Sequence, residues 1–388
     1  MRCANVLAVL LVITAWLSVA YYWDPTRIYV KRFKADNAYV YDEIRSEHSA
    51  ADPGQFISIT DVKSADEARI RLSQVIWGQP SPPLDLLPRI VRKNLLENRP
   101  GTDDCSALQH SGNETYLRLK CQLDRYEDWP HLAGVDELIV DAGPVYSASV
   151  AYFRPKTPNG ILVVYQNGYA STYHHQYRNL ERLIASGFTV AATNHTGYGD
   201  NRCPRDSKSA VWCAVGWARY DVPLPMRVHF SPLVATINYG IKESEFDHVT
   251  MIGLSAGGWI TSVLAAVDQR IDFSYPVAGF MPPYLQREGE TPPNQTYKPL
   301  FEAASMMDQF VLAADLPKRR QIQFFNRYDR CCYENTRALL YEPEVRKRVE
   351  GLGGGVFEVR IDETHARHKI SRWALDTIVS DIVEHVGK

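Results

Sequence analysis

The sequence predicts an α/β protein in which a mostly parallel, twisted β-sheet is covered by helices on both faces. From about residue 136 onward, short apolar runs typical of buried strands alternate with amphipathic stretches of helical periodicity. The chain has 388 residues, of which 45% are hydrophobic, so it can bury a core large enough for such a sheet. Alternating strands and helices favour parallel pairing, and the ligand sites of such sheets lie beyond the carboxyl ends of the strands.

The individual elements follow from these patterns. The predicted strands are DELIVDAG (136–143), YSASVAYFRP (146–155), GILVVYQNGY (160–169), FTVAATN (188–194), HVTMIG (248–253), FSYPVAGF (273–280), QIQFFN (321–326) and GVFEVRID (355–362). The predicted helices are residues 64–78, a basic segment near 89–96, a stretch around 177–184, and residues 226–243, 257–268 and 371–388. The last of these has apolar residues at i, i+3 and i+4, which predicts packing against the sheet.

The first 23 residues are predicted to be a leader. The segment from Ala4 to Trp23 is uncharged and strongly apolar, which suits a membrane span or a signal peptide. Ser18 and Ala20 are small residues at the positions that signal peptidase recognises, which predicts cleavage after Ala20. Cleavage and retention of the segment as a membrane anchor both stay open. The basic residues that follow the segment favour cleavage, because an anchor with its bulk outside would have them on the wrong side.

The cysteines predict an oxidising compartment. Of the seven, Cys3 lies in the leader, and the remaining six form an even set in a chain that begins with an export signal. Six cysteines allow 15 pairings, and pairing between neighbours in the sequence would give Cys105–Cys121, Cys203–Cys213 and Cys331–Cys332. No CxxC spacing occurs, so no metal site is predicted. The expected location is extracytoplasmic, either periplasmic or secreted, with membrane attachment through residues 4–23 as the alternative.

The hexapeptide GLSAGG (253–258) is the strongest candidate for chemistry. It lies between a predicted buried strand and a predicted helix, the context in which G-x-S-x-G places a serine on a sharp turn at the edge of the sheet. Gly253, Gly257 and Gly258 supply the small residues needed where strand and helix approach each other. We interpret Ser255 as a nucleophile, and the alternative is an ordinary structural turn.

Over roughly residues 136–388 the chain resembles the α/β-hydrolase superfamily. The resemblance is carried by GLSAGG and by the strand ends VVYQNGY, NHTGYGDN and NRYDRCC, together with the closing THARHKIS. The superfamily order of nucleophile, acid and histidine implies Asp329 as the acid, with Asp362 as a reserve. Two histidines compete as the base: the distance from the last strand favours His365, whereas the position just before a serine N-cap favours His368. We select His368 and keep His365 as the alternative.

The resemblance also implies an oxyanion hole built from two backbone N–H groups. One is that of Ala256, directly after the nucleophile. The other is expected in the loop after residues 160–169 and is assigned to Tyr169, with Gly168 and Ala170 left open. Many relatives have His-Gly at this loop, where this chain has Asn-Gly.

The function implied by the resemblance is that of a serine hydrolase cleaving carboxylic esters through an acyl-enzyme, without a metal or an organic cofactor. The alternatives are a peptidase or amidase on the same fold and a catalytically silent binding protein. The expected substrate is a small-molecule, glycan or lipid ester. A formal net charge of −2 gives no indication of a nucleic-acid partner, and the oligomeric state is left open.

The predicted organisation has three regions. Residues 1–23 are the leader, residues 24–135 an accessory region, and residues 136–388 the catalytic domain. Two insertions are expected to shape its pocket: residues 203–217, which contain two tryptophans, and a lid at about 281–310.

Overall fold

The structure is a computed structural model that describes residues 2–33, 41–101, 105, 117–143, 146–201, 223–244, 246–286 and 293–386. Its strands are β1 (Ile90–Arg92), β2 (Leu132–Asp141), β3 (Ser147–Pro155), β4 (Ile161–Gln166), β5 (Thr189–Thr193), β6 (His248–Leu254), β7 (Ile271–Val277), β8 (Arg320–Asn326) and β9 (Val356–Asp362). Its α-helices are α1 (Arg2–Tyr22), α2 (Asp24–Phe33), α3 (Ser46–Ala50), α4 (Val62–Trp77), α5 (Asp124–Glu127), α6 (Tyr177–Ala185), α7 (Arg227–Ser244), α8 (Ala256–Val267), α9 (Lys298–Ala303), α10 (Met306–Leu312), α11 (Glu342–Leu352) and α12 (Arg372–His385).

The strands form a nine-stranded sheet in the order β1-β2-β3-β5-β4-β6-β7-β8-β9. Neighbours from β1 to β5 in this order pair antiparallel, and neighbours from β5 to β9 pair parallel. From β4 the chain proceeds to β5 on one side, and from β5 it crosses to β6 on the other side of β4. Such a reversal creates a crevice beyond the strand ends. The predicted mostly parallel sheet is confirmed.

Helices cover both faces of this sheet, as predicted. One core cluster packs α4, α7, α8 and α10 against one face, and a second packs α6 and α12 against the other. Successive side chains of a strand point to opposite faces, so Val163 and Ile252 belong to one cluster while Val164 and Met251 belong to the other. Burial on both faces explains why the central strands are almost continuously apolar.

The prediction of a helix near residues 89–96 is wrong, because this segment contains β1. The backbone N–H groups of Arg89 and Leu95 donate to carbonyls of β2, each at 2.8 Å. Pairing with the sheet therefore satisfies the backbone, and the β-branched pair Ile90 and Val91 suits a strand better than a helix.

The predicted helix over residues 64–78 is confirmed as α4 and begins slightly earlier. The Asp61 carboxylate accepts the N–H of Ser64 at 2.8 Å and completes a capping box. Gly78, with φ of 74°, ends the helix in the left-handed conformation that glycine adopts readily. Arg69 on α4 forms a buried ion pair with Asp315 at 2.5 Å, so α4 belongs to the main core.

The predicted regions are thus closely joined. The boundary drawn between residues 135 and 136 lies inside β2. The insertion at about 281–310 lies between β7 and β8, but its end is not a flap, because every residue of α10 is buried. Asp308 on α10 accepts the backbone N–H of Ser58 at 2.7 Å. The last residues of the predicted lid, 306–310, therefore belong to the core.

Most of the predicted leader forms α1, whose large apolar side chains are 46–69% exposed where they are described. Within the described ranges, no single helix combines the length and apolar composition of a membrane span. The segments Val6–Val19 and Asp24–Arg32 have the required length and apolar composition only when taken together, and the two helices are bent by 85° relative to each other.

The described cysteines form two of the three predicted pairs. Cys105 and Cys121 are joined with an S–S distance of 2.04 Å, and Cys331 is joined to Cys332. The third pair, Cys203–Cys213, and the insertion at residues 203–217 with Trp212 and Trp217 lie outside the described residues.

Candidate active site

Ser255 lies on a strained turn between β6 and α8. Its φ and ψ are 58° and −125°, values that a non-glycine residue rarely adopts. The turn is held by a hydrogen bond from its backbone N–H to the carbonyl of Val277 on β7, at 2.8 Å. Strain of this kind is typical of a nucleophile elbow, which raises its central side chain above the sheet.

The glycines around Ser255 are required by close backbone contacts. A Cβ on Gly253 would lie 2.1 Å from the carbonyl oxygen of Gly257, and a Cβ on Gly257 would lie 2.2 Å from that of Gln166. Side chains cannot be accommodated at such distances. The predicted need for small residues at these positions is confirmed.

Asp329 and His368 form a hydrogen-bonded pair at the neighbouring strand ends. Asp329 follows β8 and His368 follows β9, and the Oδ2 of the aspartate lies 2.6 Å from the Nδ1 of the histidine. The aspartate is buried, with 1% exposure, whereas the side chain of His368 is 21% exposed. The buried carboxylate is also held by the backbone N–H of Cys331, which donates to Oδ1 at 2.8 Å.

The surroundings of Asp329 keep it ionised. Burial is the largest influence and by itself raises the pKa of Asp329, but hydrogen bonds from His368, Cys331 and Asn326 outweigh it and leave the pKa below its usual value. A charged carboxylate beside Nδ1 fixes the proton on that nitrogen. Nε2 of His368 then has a free lone pair, and it has no hydrogen-bond partner among the described residues.

His365 belongs to a different pair. It is 1% exposed, and its Nε2 lies 3.3 Å from Oδ2 of Asp362, without good hydrogen-bond alignment. Its Nδ1 accepts the backbone N–H of Arg367 at 3.1 Å. Asp362 in turn accepts the hydroxyl of Ser371, which caps α12. The nearby ring of His365 and hydrogen bonds from Ser371 and Thr364 overcome the effect of burial and lower the pKa of Asp362 to about 2.

The loop after β4 lies directly against the elbow. A Cβ on Gly168 would lie 2.7 Å from Cβ of Ser255 and 3.4 Å from the backbone nitrogen of Ala256. Ala256 is the first residue of α8, so its N–H is one of those without an acceptor inside the helix. Tyr169 follows Gly168 in this loop. The structure therefore places the two segments that carry the predicted oxyanion donors side by side.

A buried aromatic and histidine cluster borders this loop, and the sequence reasoning did not assign it. The ring centroids of Tyr169 and His195 are 4.3 Å apart, and those of His195 and His229 are 5.0 Å apart. The centroid of His229 lies 5.6 Å from that of Trp259. Burial lowers the pKa of His195 to about 4 despite a bond to the carbonyl of Thr196, and burial also lowers the pKa of His229. Both rings are therefore neutral at pH 7.

Several polar atoms of this cluster lack partners. In the described part of the chain, Nε2 of His195, Nε2 of His229 and Nε1 of Trp259 are buried without a hydrogen bond. Nδ1 of His195 faces the Thr196 carbonyl at 2.9 Å and must be its protonated nitrogen, so the free Nε2 is an acceptor. The sequence signal was available, since His195 lies in the strand-end motif NHTGYGDN.

The segment after the leader contacts the loops that carry Asp329 and His368. Lys31 on α2 donates to the carbonyl of Tyr328 at 2.8 Å, and Asp24 lies 3.6 Å from Arg367 and 3.8 Å from Lys369.

A small buried apolar cluster also joins this segment to the loops. It consists of Tyr41, Tyr328 and Ala366, with Ile28 packed against it. No local pattern predicts these contacts, which join residues about 300 positions apart.

A cavity of about 710 Å³ lies between α6 and α12. Its lining includes the basic side chains of Arg178, Arg182, Lys369 and Arg372 together with the acidic side chains of Glu181 and Asp376. Ser255, Asp329 and His368 are not among its described lining residues. The candidate site therefore rests on the strained turn at Ser255 and on the Asp329–His368 pair, and not on the size of the cavity.

The sheet order, the serine elbow and the aspartate–histidine pair at adjacent strand ends define an α/β-hydrolase fold. The comparisons with known proteins agree with this assignment of the fold.

No protein-family model and no curated protein matches the chain. Among solved structures, the chain is similar to Methylesterase BT1017, with a TM-score of 0.59 and 12% identity over 86% of this chain and 68% of that chain. It is also similar to an acetyl xylan esterase from Paenibacillus sp. R4, with a TM-score of 0.53 and 13% identity over 86% of this chain and 98% of that chain. At such low identity these likenesses establish the fold, and the activity has to be argued from the site.

Proposed function

We propose that the protein is a serine hydrolase that cleaves carboxylic esters through an acyl-enzyme. The observation that carries the proposal is the combination of a strained Ser255 at the end of β6 with the Asp329–His368 pair at the ends of β8 and β9. A serine hydroxyl needs a base within reach, and the base needs an oriented partner. The structural neighbours named as esterases support the choice of ester substrates.

The proposed reaction begins when Oγ of Ser255 attacks the carbonyl carbon and Nε2 of His368 takes its proton. The oxygen of the tetrahedral intermediate becomes negative and is stabilised by the N–H groups of Ala256 and Tyr169. The C–O bond to the alcohol then breaks as His368 returns the proton to the leaving oxygen. Water, deprotonated by the same histidine, then attacks the acyl-enzyme. The bond from the acyl carbon to Oγ breaks as His368 returns the proton to Oγ, so the carboxylic acid leaves and Ser255 is regenerated.

The tautomers of the two histidines favour His368 as the base. Nδ1 of His365 accepts a backbone N–H, so its lone pair is already used and its proton lies on Nε2, facing Asp362. His368 has the opposite arrangement, with Nδ1 bonded to Asp329 and Nε2 available. We assign His365 the role of holding the loop after β9 in place.

The same geometry could serve a peptidase or amidase, and a silent binding protein is the further alternative. The choice of a small-molecule or glycan ester is supported by the name of one structural neighbour, an acetyl xylan esterase. We also propose an extracytoplasmic location, supported by the apolar leader and the Cys105–Cys121 disulfide.

The test uses the full-length chain, extracted in detergent, with a fluorophosphonate probe. The adduct is located by mass spectrometry, and turnover of p-nitrophenyl acetate and butyrate is measured beside turnover of the matching anilides. An adduct on Ser255 with ester turnover, both lost in Ser255→Ala, is the expected result. Faster anilide turnover would favour an amidase, and a folded protein without an adduct would contradict the proposal.

A further inference from the structure

Two adjacent cysteines lie beside the proposed base. The sulfur atoms of Cys331 and Cys332 and a ring nitrogen of His368 all lie within 4.8 Å of one another. Cys331 is exposed, and Cys332 and His368 are half-buried, so a solute can reach the group from water. His368 is 36 or more positions away in the sequence, which is why cysteine spacing alone predicted no metal site.

We propose that Cys331 and Cys332, once their disulfide is reduced, form with His368 a site for a thiophilic divalent cation such as Zn²⁺, and that the bound cation arrests hydrolysis at Ser255. The arrest rests on the proposed function, whereas the binding does not. Two thiolates and one imidazole are a donor set that zinc-like cations prefer and that Mg²⁺ and Ca²⁺ do not.

The separation of the donors suits a single cation. Zinc bonds of roughly 2.0–2.3 Å in a tetrahedral arrangement put neighbouring ligand atoms about 3.5 Å apart. After reduction the two sulfur atoms, which are bonded in the disulfide, have to move apart to about this distance. The ring nitrogen of His368 already lies within 4.8 Å of both, so small side-chain rotations bring the three donors onto one cation. A water molecule can complete the coordination from the exposed side at Cys331.

The backbone around the cysteines is held in place. The N–H of Cys331 donates to Asp329 at 2.8 Å, and the N–H of Asn335 donates to the carbonyl of Arg327 at 3.0 Å, which closes the loop. The hydroxyl of Tyr333 donates to Gln295 at 2.9 Å. A site on a fixed loop binds a cation without a large cost in ordering the chain.

Binding removes a contact that catalysis needs, whichever ring nitrogen is used. If Nδ1 of His368 binds the cation, the histidine loses its bond to Asp329. If Nε2 binds, the lone pair that would accept the proton of Ser255 is occupied. Either way the base is blocked, and the expected loss of turnover is about 10³-fold or more, as when a triad histidine is removed.

The oxidised pair keeps the site closed. A dithiol reductant opens it in a two-electron exchange: the S–S bond of Cys331–Cys332 breaks, each sulfur ends as a thiol, and the reductant leaves as its own disulfide. The cation then displaces the thiol protons when it binds. Oxidation of the pair therefore protects the proposed hydrolase from inhibition by such metals.

The test measures binding and turnover separately on the full-length chain. Binding is measured in the Ser255→Ala variant after reduction by a phosphine, which adds no competing thiol. Co²⁺ reports thiolate ligation by its charge-transfer absorption, and Zn²⁺ affinity is measured by calorimetry. The comparison variants are Cys331→Ser/Cys332→Ser, which retains every other cysteine, His368→Gln, and His365→Gln as the matched imidazole control.

The expected result is one Zn²⁺ bound by the reduced chain beyond what the oxidised chain or the double-serine variant binds. His368→Gln should lose about tenfold or more in affinity, and His365→Gln should retain it. Equal Co²⁺ absorption in the double-serine variant, or no effect of His368→Gln, would overturn the site. Ester turnover that is unchanged when Zn²⁺ fills the site would overturn the proposed arrest of hydrolysis. A metal-free chain that shows neither ester turnover nor a fluorophosphonate adduct would contradict only the proposed function.

Discussion

The 2.6 Å contact between Oδ2 of Asp329 and Nδ1 of His368 determines which nitrogen of the histidine can act as a base. The carboxylate holds the Nδ1 proton, so Nε2 is left as the acceptor. Three residues earlier, His365 has the reverse tautomer, because a backbone N–H donates to its Nδ1. Two neighbouring histidines on one loop thus have different chemical capacities.

We expect Asp329→Asn to lower kcat for ester turnover by about 10³–10⁴-fold, because the amide no longer fixes the productive tautomer. KM should change little, since the carboxylate does not contact substrate. Steady-state kinetics with p-nitrophenyl butyrate measures both constants. Asp362→Asn is the matched control: it weakens the bonds that hold Ser371 and His365, so it should lower the unfolding midpoint and leave most of kcat in the folded fraction. Similar kcat values in the two variants would contradict the assignment.

We expect His368→Gln to abolish labelling of Ser255 by a fluorophosphonate, because His368 is the proposed acceptor of the serine proton. The rate of labelling should fall by about 10³-fold. His365→Gln should label at nearly the parental rate and lose thermal stability, since it removes two contacts of a buried ring. A large fall in the labelling rate of His365→Gln, with nearly parental labelling of His368→Gln, would make His365 the base.

The elbow glycine Gly257 should not tolerate even a methyl group. In Gly257→Ala the new Cβ would meet the carbonyl of Gln166 at 2.2 Å, and overpacking of this kind costs typically about 1–3 kcal/mol. Gly351 on α11 is the matched control, because a Cβ there meets nothing within 4 Å. Gly351→Ala should raise stability by roughly 0.5–1 kcal/mol through helix propensity. Urea unfolding of both variants measures the difference, and equal effects would contradict the packing argument.

The segment after the leader should support catalysis from outside the site. Lys31 donates to the carbonyl of Tyr328, the residue before Asp329, and half-burial lowers the pKa of Lys31 to about 8. In Lys31→Met this contact is lost and the loop that carries Asp329 is less restrained, so kcat for ester turnover should fall severalfold. Lys63→Met changes an exposed lysine on α4 and should have no effect. Equal kcat in the two variants would show that α2 only packs against the loops.

Much of the fold could be predicted because its signals are local. The strands β4 to β9 are short apolar runs, and Ser255 is recognised from the residues on either side of it. The single short strand β1 was mistaken for a helix because its pairing with β2 is set by residues some fifty positions away. The burial of α10 was missed for the same reason, since Asp308 is held by Ser58 at the other end of the chain.

The histidine choice could not be made from the sequence. His365 and His368 lie on one turn, and their separation in the chain is too small to say which reaches Asp329. The structure separates them because His365 is buried beside Asp362, which also accepts the hydroxyl of Ser371, whereas His368 pairs with Asp329. The cluster of His195, His229 and Trp259 also comes from three separate elements, so it becomes visible only when the sheet is assembled.

The buried histidines should make stability depend on pH on the acidic side. Burial lowers the pKa of His195 from 6.5 to about 4, and the pKa values of His174 and His229 are lowered as well. Between pH 6.5 and 4 the unfolded chain binds a proton that folded His195 refuses, so stability falls as pH falls through this window. For His195 the loss should reach about 3 kcal/mol and then level off below its folded pKa.

Urea unfolding at several pH values between 7 and 4 tests this expectation, with His195→Gln compared with His131→Gln. His195 is wholly buried and His131 is exposed, so only the first variant should flatten the dependence. Part of the slope should persist in His195→Gln, because His174 and His229 still resist protonation in the folded state. Identical slopes in the parent and in His195→Gln would mean that His195 accepts a proton while folded, and its ring would then be charged beside Tyr169 at mildly acidic pH.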